Sequence, residues 1–453
     1  MLRGDVRRPA GGGGPVNVDD DLLPSASVIC CPVVQRRARD GQPPPLEAYV
    51  STTAVSTSPN SPTPTAAEVF AFADLEIGAA AVEQWPRADL DLGEQIPSVT
   101  GYVRRIRVDG RALYAKYSLL GVSLVSLLRG ACGPWHQVRE AQRAYVLRPD
   151  ALIEREAGQL RFLQEAGHPR VCPVAGVRRG VLFTESVPGV SLAHLLLTRP
   201  QHSAELLAGV LEQLHVLHHP PAVRRLGPAG VIGERSIAGT FQRKFNGLSG
   251  PVYVQRLGAD RCRAEDREEV VAVLGRIVIR LHRLRARVRA QSSRRVLAYG
   301  DLKPDHVLYP DDGPPVFIDP GLLLTGTAVD AAKLISRSVL TLAASRPGPD
   351  TGKHLVEGIG AFAGSRMDAL SVTARRAWLM EVLALWLMDS VNILTTYLSA
   401  PAELPLPALG DALVGRAVGL CRMVDRISAD LASGGDTSAV WDGALSHAQA
   451  VAA

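Results

Sequence analysis

The chain has 453 residues, 46% of them hydrophobic and 21% charged, with a formal net charge of +5. That length holds one bilobal enzyme or two to three domains, and the composition is that of a folded globular protein. So small a charge is no argument for nucleic-acid binding. Lysine stands only at positions 116, 244, 303, 333 and 353, so a lysine inside a motif carries information.

Residues 1–65 read as a disordered or low-complexity tail. Gly11–Gly14, Pro43-Pro44-Pro45 and the Ser/Thr/Pro run from Ser56 to Thr65 cannot bury a core, and only Val28–Val34 has the make-up of a strand. Arg7-Arg8 is followed by glycine and proline, not by the apolar segment of a leader. The cysteines (30, 31, 132, 172, 262, 421) show no CxxC spacing and no companion histidines. That argues against a zinc site or a disulfide framework and gives the expectation of a reducing, cytoplasmic location.

Residues 66–186 are expected to form a small β-rich N-lobe. Tyr102–Val108 and Ala112–Ser118 flank Asp109-Gly110 and read as a hairpin. Just before it, Ser98-Val99-Thr100-Gly101 is a short turn whose N–H groups and hydroxyls suit a phosphate. Lys116 lies in the second hairpin strand. A helix is expected over 151–164, with Leu152, Glu156, Leu160 and Leu163 on one stripe and Glu154, Arg161 and Glu165 opposite. Glu156 is therefore the inward carboxylate and the expected partner of Lys116. Strands over 174–177 and 181–184 lead to Glu185-Ser186-Val187-Pro188-Gly189, the connection between lobes.

Residues 187–453 are expected to be mainly helical, with helices over 204–218, 266–289, 328–344, 375–398 and 406–432. The basic run Arg280–Arg295 reads as a solvated helix end. Trp378–Leu398 is apolar but interrupted by Glu381, Asp389 and Asn392, which suits a buried helix better than a membrane span. A strand–turn–strand block over 296–319, turning at Asp311-Asp312-Gly313, interrupts the helices and holds the chemistry. Its first strand ends in Tyr299-Gly300-Asp301-Leu302-Lys303-Pro304-Asp305-His306, and its second, Val316-Phe317-Ile318, in Asp319-Pro320-Gly321. A carboxylate at a strand end, Asp301, can orient a hydroxyl and take its proton. The other, Asp319, offers the hard oxygen that Mg2+ requires.

These motifs resemble the aminoglycoside phosphotransferase-like family of the protein-kinase-like superfamily, over roughly residues 98–345. The resemblance implies an α+β bilobal fold, with a small antiparallel-β N-lobe and a large mainly α-helical C-lobe. It implies transfer of the γ-phosphate of ATP (or GTP), with Mg2+, to a hydroxyl of a small molecule such as an aminoglycoside, another antibiotic, an aminocyclitol or a sugar. The setting would be resistance or biosynthesis. Asp301 then takes the place of the catalytic aspartate, with Tyr299 where a histidine is usual, and Lys303 is suited to contact the γ-phosphate. Lys116 grips the α- and β-phosphates with Glu156 behind it, and Ser98, Thr100 and Gly101 form a short phosphate loop. The backbone of Glu185, Ser186 and Val187 meets the adenine edge, Asp319 and His306 fall at the metal positions, and Asp330 supports the catalytic loop.

The chain departs from the family at His306, where an asparagine supplies an amide oxygen. An imidazole is a poor Mg2+ ligand, so His306 acts through water, Asp305 replaces it, or one well-held metal suffices. A catalytically impaired nucleotide-binding protein is thus one alternative. A Ser/Thr protein kinase is the other, from the wording of Asp301-Leu302-Lys303-Pro304. Against it stand the missing Gly-rich loop, the missing Arg before Asp301 and the absence of Ala-Pro-Glu after Gly321. No nucleic-acid or membrane partner is expected, and oligomeric state is left open.

Overall fold

The computed structural model of the chain describes residues 63–452 apart from 228–229, 248, 292–294 and 312. The expected tail, including the strand at Val28–Val34, therefore lies outside the described residues up to residue 62. The turn at Asp311-Asp312-Gly313 and the end of the basic run Arg280–Arg295 lie partly outside them.

The first described element was not expected: a helix, Ala66–Gln84, started by a capping box in which the Thr65 hydroxyl accepts from the Glu68 N–H and the Glu68 carboxylate accepts from the Thr65 N–H. It covers a five-stranded antiparallel sheet of order β1-β2-β3-β5-β4. The strands are β1 (Leu90–Ile96), β2 (Tyr102–Val108), β3 (Arg111–Tyr117), β4 (Val174–Arg178) and β5 (Val181–Glu185). Phe70 packs on Tyr102, and Tyr102 donates from its hydroxyl to Asp74 at 2.7 Å. The β2–β3 hairpin turns on Asp109 and Gly110, with φ of 49° and 78°. Two successive left-handed residues are what a type I′ turn requires.

The helix Leu152–Ala166 crosses behind this sheet with Glu156, Leu160 and Leu163 buried. Beyond β5 the chain enters a larger, mainly helical lobe. Its small sheets are β6 (Val190–Ser191) with β8 (Val307–Tyr309) and β9 (Val316–Phe317), and β7 (Val296–Ala298) with β10 (Leu323–Thr325). The molecule is thus α+β and bilobal. Two helices differ from expectation. The span 406–432 is broken at Gly415-Arg416 into Ala408–Val414 and Ala417–Ser433. The span 204–218 is helical over Ser203–Leu214 and then tightens to a 3-10 turn, His215–His218, ahead of Pro220. Proline disfavours helical backbone in the residue before it.

The helix Val372–Leu398 is long and apolar enough to cross a membrane, yet it is packed inside the larger lobe. Asp389 on it is 2% exposed and takes two hydrogen bonds from Arg337, at 2.6 and 3.1 Å. Lys244 fastens the helix Ile237–Phe245 to it, donating to the Asn392 carbonyl and the Thr396 hydroxyl at 2.6 Å each. A buried ion pair of this kind adds little net stability, because desolvation of the two charges offsets their attraction.

Candidate functional site

β7 delivers Tyr299-Gly300-Asp301 to the cleft between the lobes. Tyr299 is fully buried beside Phe317, and its hydroxyl donates to the Ile318 carbonyl at 2.9 Å. Its carbonyl accepts from the N–H groups of Asp301 and Gly321, both at 3.0 Å, which ties the two aspartate-bearing loops together. The buried carboxylate of Asp330 accepts from the Tyr299 and Gly300 N–H groups at 2.8 Å each. Asp330 therefore supports the loop from below. Gly300 has φ of 80°, and a Cβ there would collide with the Gly321 carbonyl oxygen and the Leu323 side chain. Only glycine fits.

Asp301 sits between two lysines, with Lys333 Nζ at 2.7 Å from Oδ1 and Lys303 Nζ at 2.9 Å from Oδ2. Burial alone would raise the Asp301 carboxyl, but Lys303 and Lys333 outweigh it and hold it well below the usual range. So acidic a group is a weak base, suited to orienting a hydroxyl and receiving its proton late. Lys333 was not singled out in the sequence. It follows Asp330 by three residues on the helix Val329–Ser345, hence on the same face. The available signal was the scarcity of lysine.

β9 leads into Asp319, whose φ of 54° is a left-handed conformation for a non-glycine residue, a strain typical of functional sites. Lys116 Nζ lies 3.4 Å from Asp319 Oδ1 and His306 Nε2 lies 3.8 Å from Oδ2. Burial opposes the charge on Asp319, but the Lys116 ammonium beside it more than offsets that and holds the carboxyl well below its usual range, so it stays ionised. Burial, reinforced by Lys303, pushes the His306 imidazole down to about 3, so it is neutral at any working pH. Its Nδ1 is buried with no partner among the described residues.

The donor set fits one Mg2+ on Asp319, because this ion takes one or two carboxylates and completes its shell with phosphate oxygens and water. His306 does not fit as a direct ligand, being a nitrogen donor, and Asp305 faces solvent on the 3-10 turn Pro304–His306. Among the described residues no three His, Cys, Asp or Glu side chains converge as a metal cluster. His306→Asn is expected to leave Mg2+-dependent activity intact or raise it, since an amide oxygen replaces an uncharged ring. A loss beyond about 10²-fold in a turnover assay, the size of a lost catalytic group, would give the imidazole a specific role.

Lys116 donates to Glu156 Oε1 at 2.5 Å, and Glu156 is fully buried. Burial opposes the charge on Lys116, yet Asp319 and Glu156 prevail and raise its pKa, so it is a cation. The second carboxylate oxygen, Oε2, accepts from Arg235 Nη2 at 3.1 Å. Arg235 was not anticipated; it belongs to a stretch without motif. Lys116→Ala and Glu156→Ala are each expected to weaken productive nucleotide binding, with the double variant little worse than either. Additive losses in activation free energy from steady-state kinetics would contradict a shared role.

The structure gathers Lys116, Glu156, Asp301, Lys303, His306 and Asp319 in one cleft. Two expectations change. In the hinge, the Glu185 and Ser186 N–H groups donate to the Pro173 and Ala112 carbonyls, at 2.9 and 3.2 Å, so neither is left to donate to an adenine edge. The Glu185 carboxylate pairs with Arg111 instead. Of the three hinge residues, only Val187 among the N–H groups is not engaged in these bonds. In the phosphate turn, the Thr100 and Gly101 N–H groups already approach the Ser98 hydroxyl, at 3.3 and 3.5 Å. That turn is ordered by its own bonds, and a phosphate would have to compete with Ser98.

A model of the phosphotransferase enzyme family matches residues 137–364, half of the chain. No curated protein matches it. Among solved structures, a Plasmodium vivax ethanolamine kinase is 13% identical, with 86% of this chain and 99% of that one covered and a TM-score of 0.43. A choline kinase from Cryptosporidium parvum is 9% identical, with 80% and 99% covered and a TM-score of 0.42. An aminoglycoside 2'-phosphotransferase in complex with GDP is 15% identical, with 78% and 98% covered and a TM-score of 0.44.

Proposed function

Because the chain belongs to the phosphotransferase enzyme family, we propose that it moves the γ-phosphoryl group of ATP (or GTP) to a hydroxyl of a small molecule. The observation that carries the small-molecule reading is the short path after the second aspartate. From Asp319-Pro320-Gly321 the chain pairs at once as β10 and enters the helix Val329–Ser345, so only residues 322–328 lie between. No segment is left to order itself around a peptide, which is what a protein kinase does with the stretch after its metal-binding aspartate.

The geometry supports a distinct role for each residue. Lys116, held by Glu156, offers a fixed cation to the α- and β-phosphates. Asp301 accepts a hydrogen bond from the acceptor hydroxyl, aims its oxygen at phosphorus and receives its proton. Lys303 and Lys333 hold the Asp301 carboxylate in one rotamer, and Lys303, 26% exposed, is the one able to reach a γ-phosphate oxygen. Asp319 would hold Mg2+, which neutralises charge on the β- and γ-phosphate oxygens when bound. Little covalent chemistry is asked of the protein; positioning and charge do most of it.

An aminoglycoside, another antibiotic, an aminocyclitol or a sugar would suit as acceptor, in a reducing cytoplasm. Cys132, Cys172, Cys262 and Cys421 are unbridged, which supports that setting. Incubating the protein with Mg2+, ATP and a panel of such alcohols tests the reading. At least one acceptor should release ADP faster than water does and gain the mass of one phosphoryl group. Nucleotide bound but never transferred to any of them would favour the impaired-enzyme alternative.

A further inference from the structure

We propose that Arg235 is a catalytic residue, placed to take the γ-phosphoryl oxygens as the group passes from nucleotide to acceptor; this rests on the nucleotide-dependent reading above. Arg235 ends the 3-10 turn Gly233–Arg235, in a segment that runs from the larger lobe onto the helix Leu152–Ala166. That segment is firmly held. Gln159 Nε2 donates to the Gly230 carbonyl at 2.6 Å, Arg155 Nη1 to the Val231 carbonyl at 3.1 Å, and the Ile232 N–H to the Leu322 carbonyl at 2.8 Å. Arg155 also pairs with Glu234, the residue before Arg235. The backbone that carries the guanidinium is thus fixed to both lobes.

The side chain, 22% exposed, has one nitrogen committed: Nη2 donates to Glu156 Oε2 at 3.1 Å, while Oε1 of the same carboxylate holds Lys116. Among the described residues, Nε and Nη1 find no acceptor. The stem runs beside the catalytic loop. A Cβ placed on Gly321 would stand 3.7 Å from Arg235 Cδ and 3.2 Å from Asp301 Cβ. Glu156, Asp301 and Asp319 together outweigh burial and keep the guanidinium charged. A pre-oriented cation with open donors therefore lies by the gap between Asp301 and Asp319. The transferring group must sit in that gap, with the acceptor hydroxyl on one side and the metal-bound phosphates on the other.

A guanidinium fork matches phosphoryl oxygens, and it binds them best as charge spreads over them. In the step, the bond from γ-phosphorus to the β–γ bridging oxygen breaks, and its electron pair leaves with the nucleoside diphosphate. The acceptor oxygen bonds to phosphorus, and its proton passes to the Asp301 carboxylate. Arg235 gains and loses no proton. Glu156 thereby orders two cations, with Lys116 toward the inner phosphates and Arg235 toward the outer one.

The test is equilibrium binding of ADP and of the non-hydrolysable triphosphate AMP-PNP, both with Mg2+, to wild type, Arg235→Ala and Arg235→Lys. Arg235→Ala is expected to lose about 10–100-fold for AMP-PNP, the worth of one charged hydrogen bond, and about 3-fold or less for ADP. Arg235→Lys, with the charge but not the fork, falls between. A residue that only braced Glu156 would weaken both nucleotides alike through Lys116. Equal losses, or unchanged AMP-PNP binding, would therefore overturn the proposal. If thermal unfolding shows that Arg235→Ala does not fold, Arg235→Lys and Arg235→Gln carry the same comparison. Wild type binding neither nucleotide would overturn the nucleotide reading itself, a result distinct from equal losses in the variants.

Discussion

Asp301→Asn should lower turnover about 10²–10⁴-fold, the range for a positioned proton acceptor, while nucleotide still binds. The substitution keeps the size of the side chain and one oxygen, but it removes the charge that Lys303 and Lys333 share at 2.9 and 2.7 Å. Lys333 is 4% exposed and cannot turn to water for compensation. Thermal stability is therefore expected to fall as well, because breaking one side of a buried charge pair costs about 3–5 kcal/mol. Kinetics and nucleotide affinity are to be measured below the variant's unfolding temperature. A turnover within a few-fold of wild type would remove Asp301 from the mechanism, whatever the stability.

Gly300→Ala should be as damaging for a different reason. Alanine at φ of 80° costs about 1–2 kcal/mol. Its Cβ would also press on the Gly321 carbonyl oxygen, a backbone atom that cannot rotate away. Overpacking of that kind adds about 1–3 kcal/mol. Relief requires the Asp301 and Asp319 loops to separate, and a displacement of about 1 Å at a reacting group can cost 10²-fold in rate. Gly110 is the control: its φ of 78° is similar, but nothing lies within 4 Å of the added Cβ. Gly110→Ala should lose only the backbone part and keep its activity. Matching melting temperatures and rates for the two variants would contradict this account of Gly300.

The parts of the site that were legible in the sequence are those whose chemistry demands contiguous residues. A carboxylate leaving a strand is a local pattern, so Asp301 and Asp319 stand out without a fold. The helical stripe selects Glu156 over Glu154 because 3.6 residues per turn decides which one faces the core. The residues that escaped are tertiary. Arg235 reaches Glu156 from 79 positions away in a stretch without motif, and Lys333 meets Asp301 only because the helix Val329–Ser345 runs beneath the loop.

Among the elements the sequence did not mark, two were hidden for local reasons. The helix Ala66–Gln84 buries Val69, Ala73, Ile77, Ala80 and Ala81, but alanines elsewhere around it blur the apolar stripe. β1 reads Leu-Asp-Leu-Gly-Glu-Gln-Ile, rich in residues that strands avoid, and it forms because β2 offers an edge to pair with. The hinge shows a different limit. A sequence can mark where the lobes join, but whether the Glu185 and Ser186 N–H groups are free depends on Pro173 and Ala112, which only folding brings near.

The central claim, phosphoryl transfer to a small-molecule hydroxyl directed by Asp301, is tested most directly with ATP labelled on the γ-phosphate. The labelled nucleotide is incubated with Mg2+, extract of the source cells and either wild-type protein or Asp301→Asn. The account predicts label in a new low-mass product with wild type and at least about 10²-fold less of it with the variant. Label that depends on Asp301 but is carried only by proteins would contradict it.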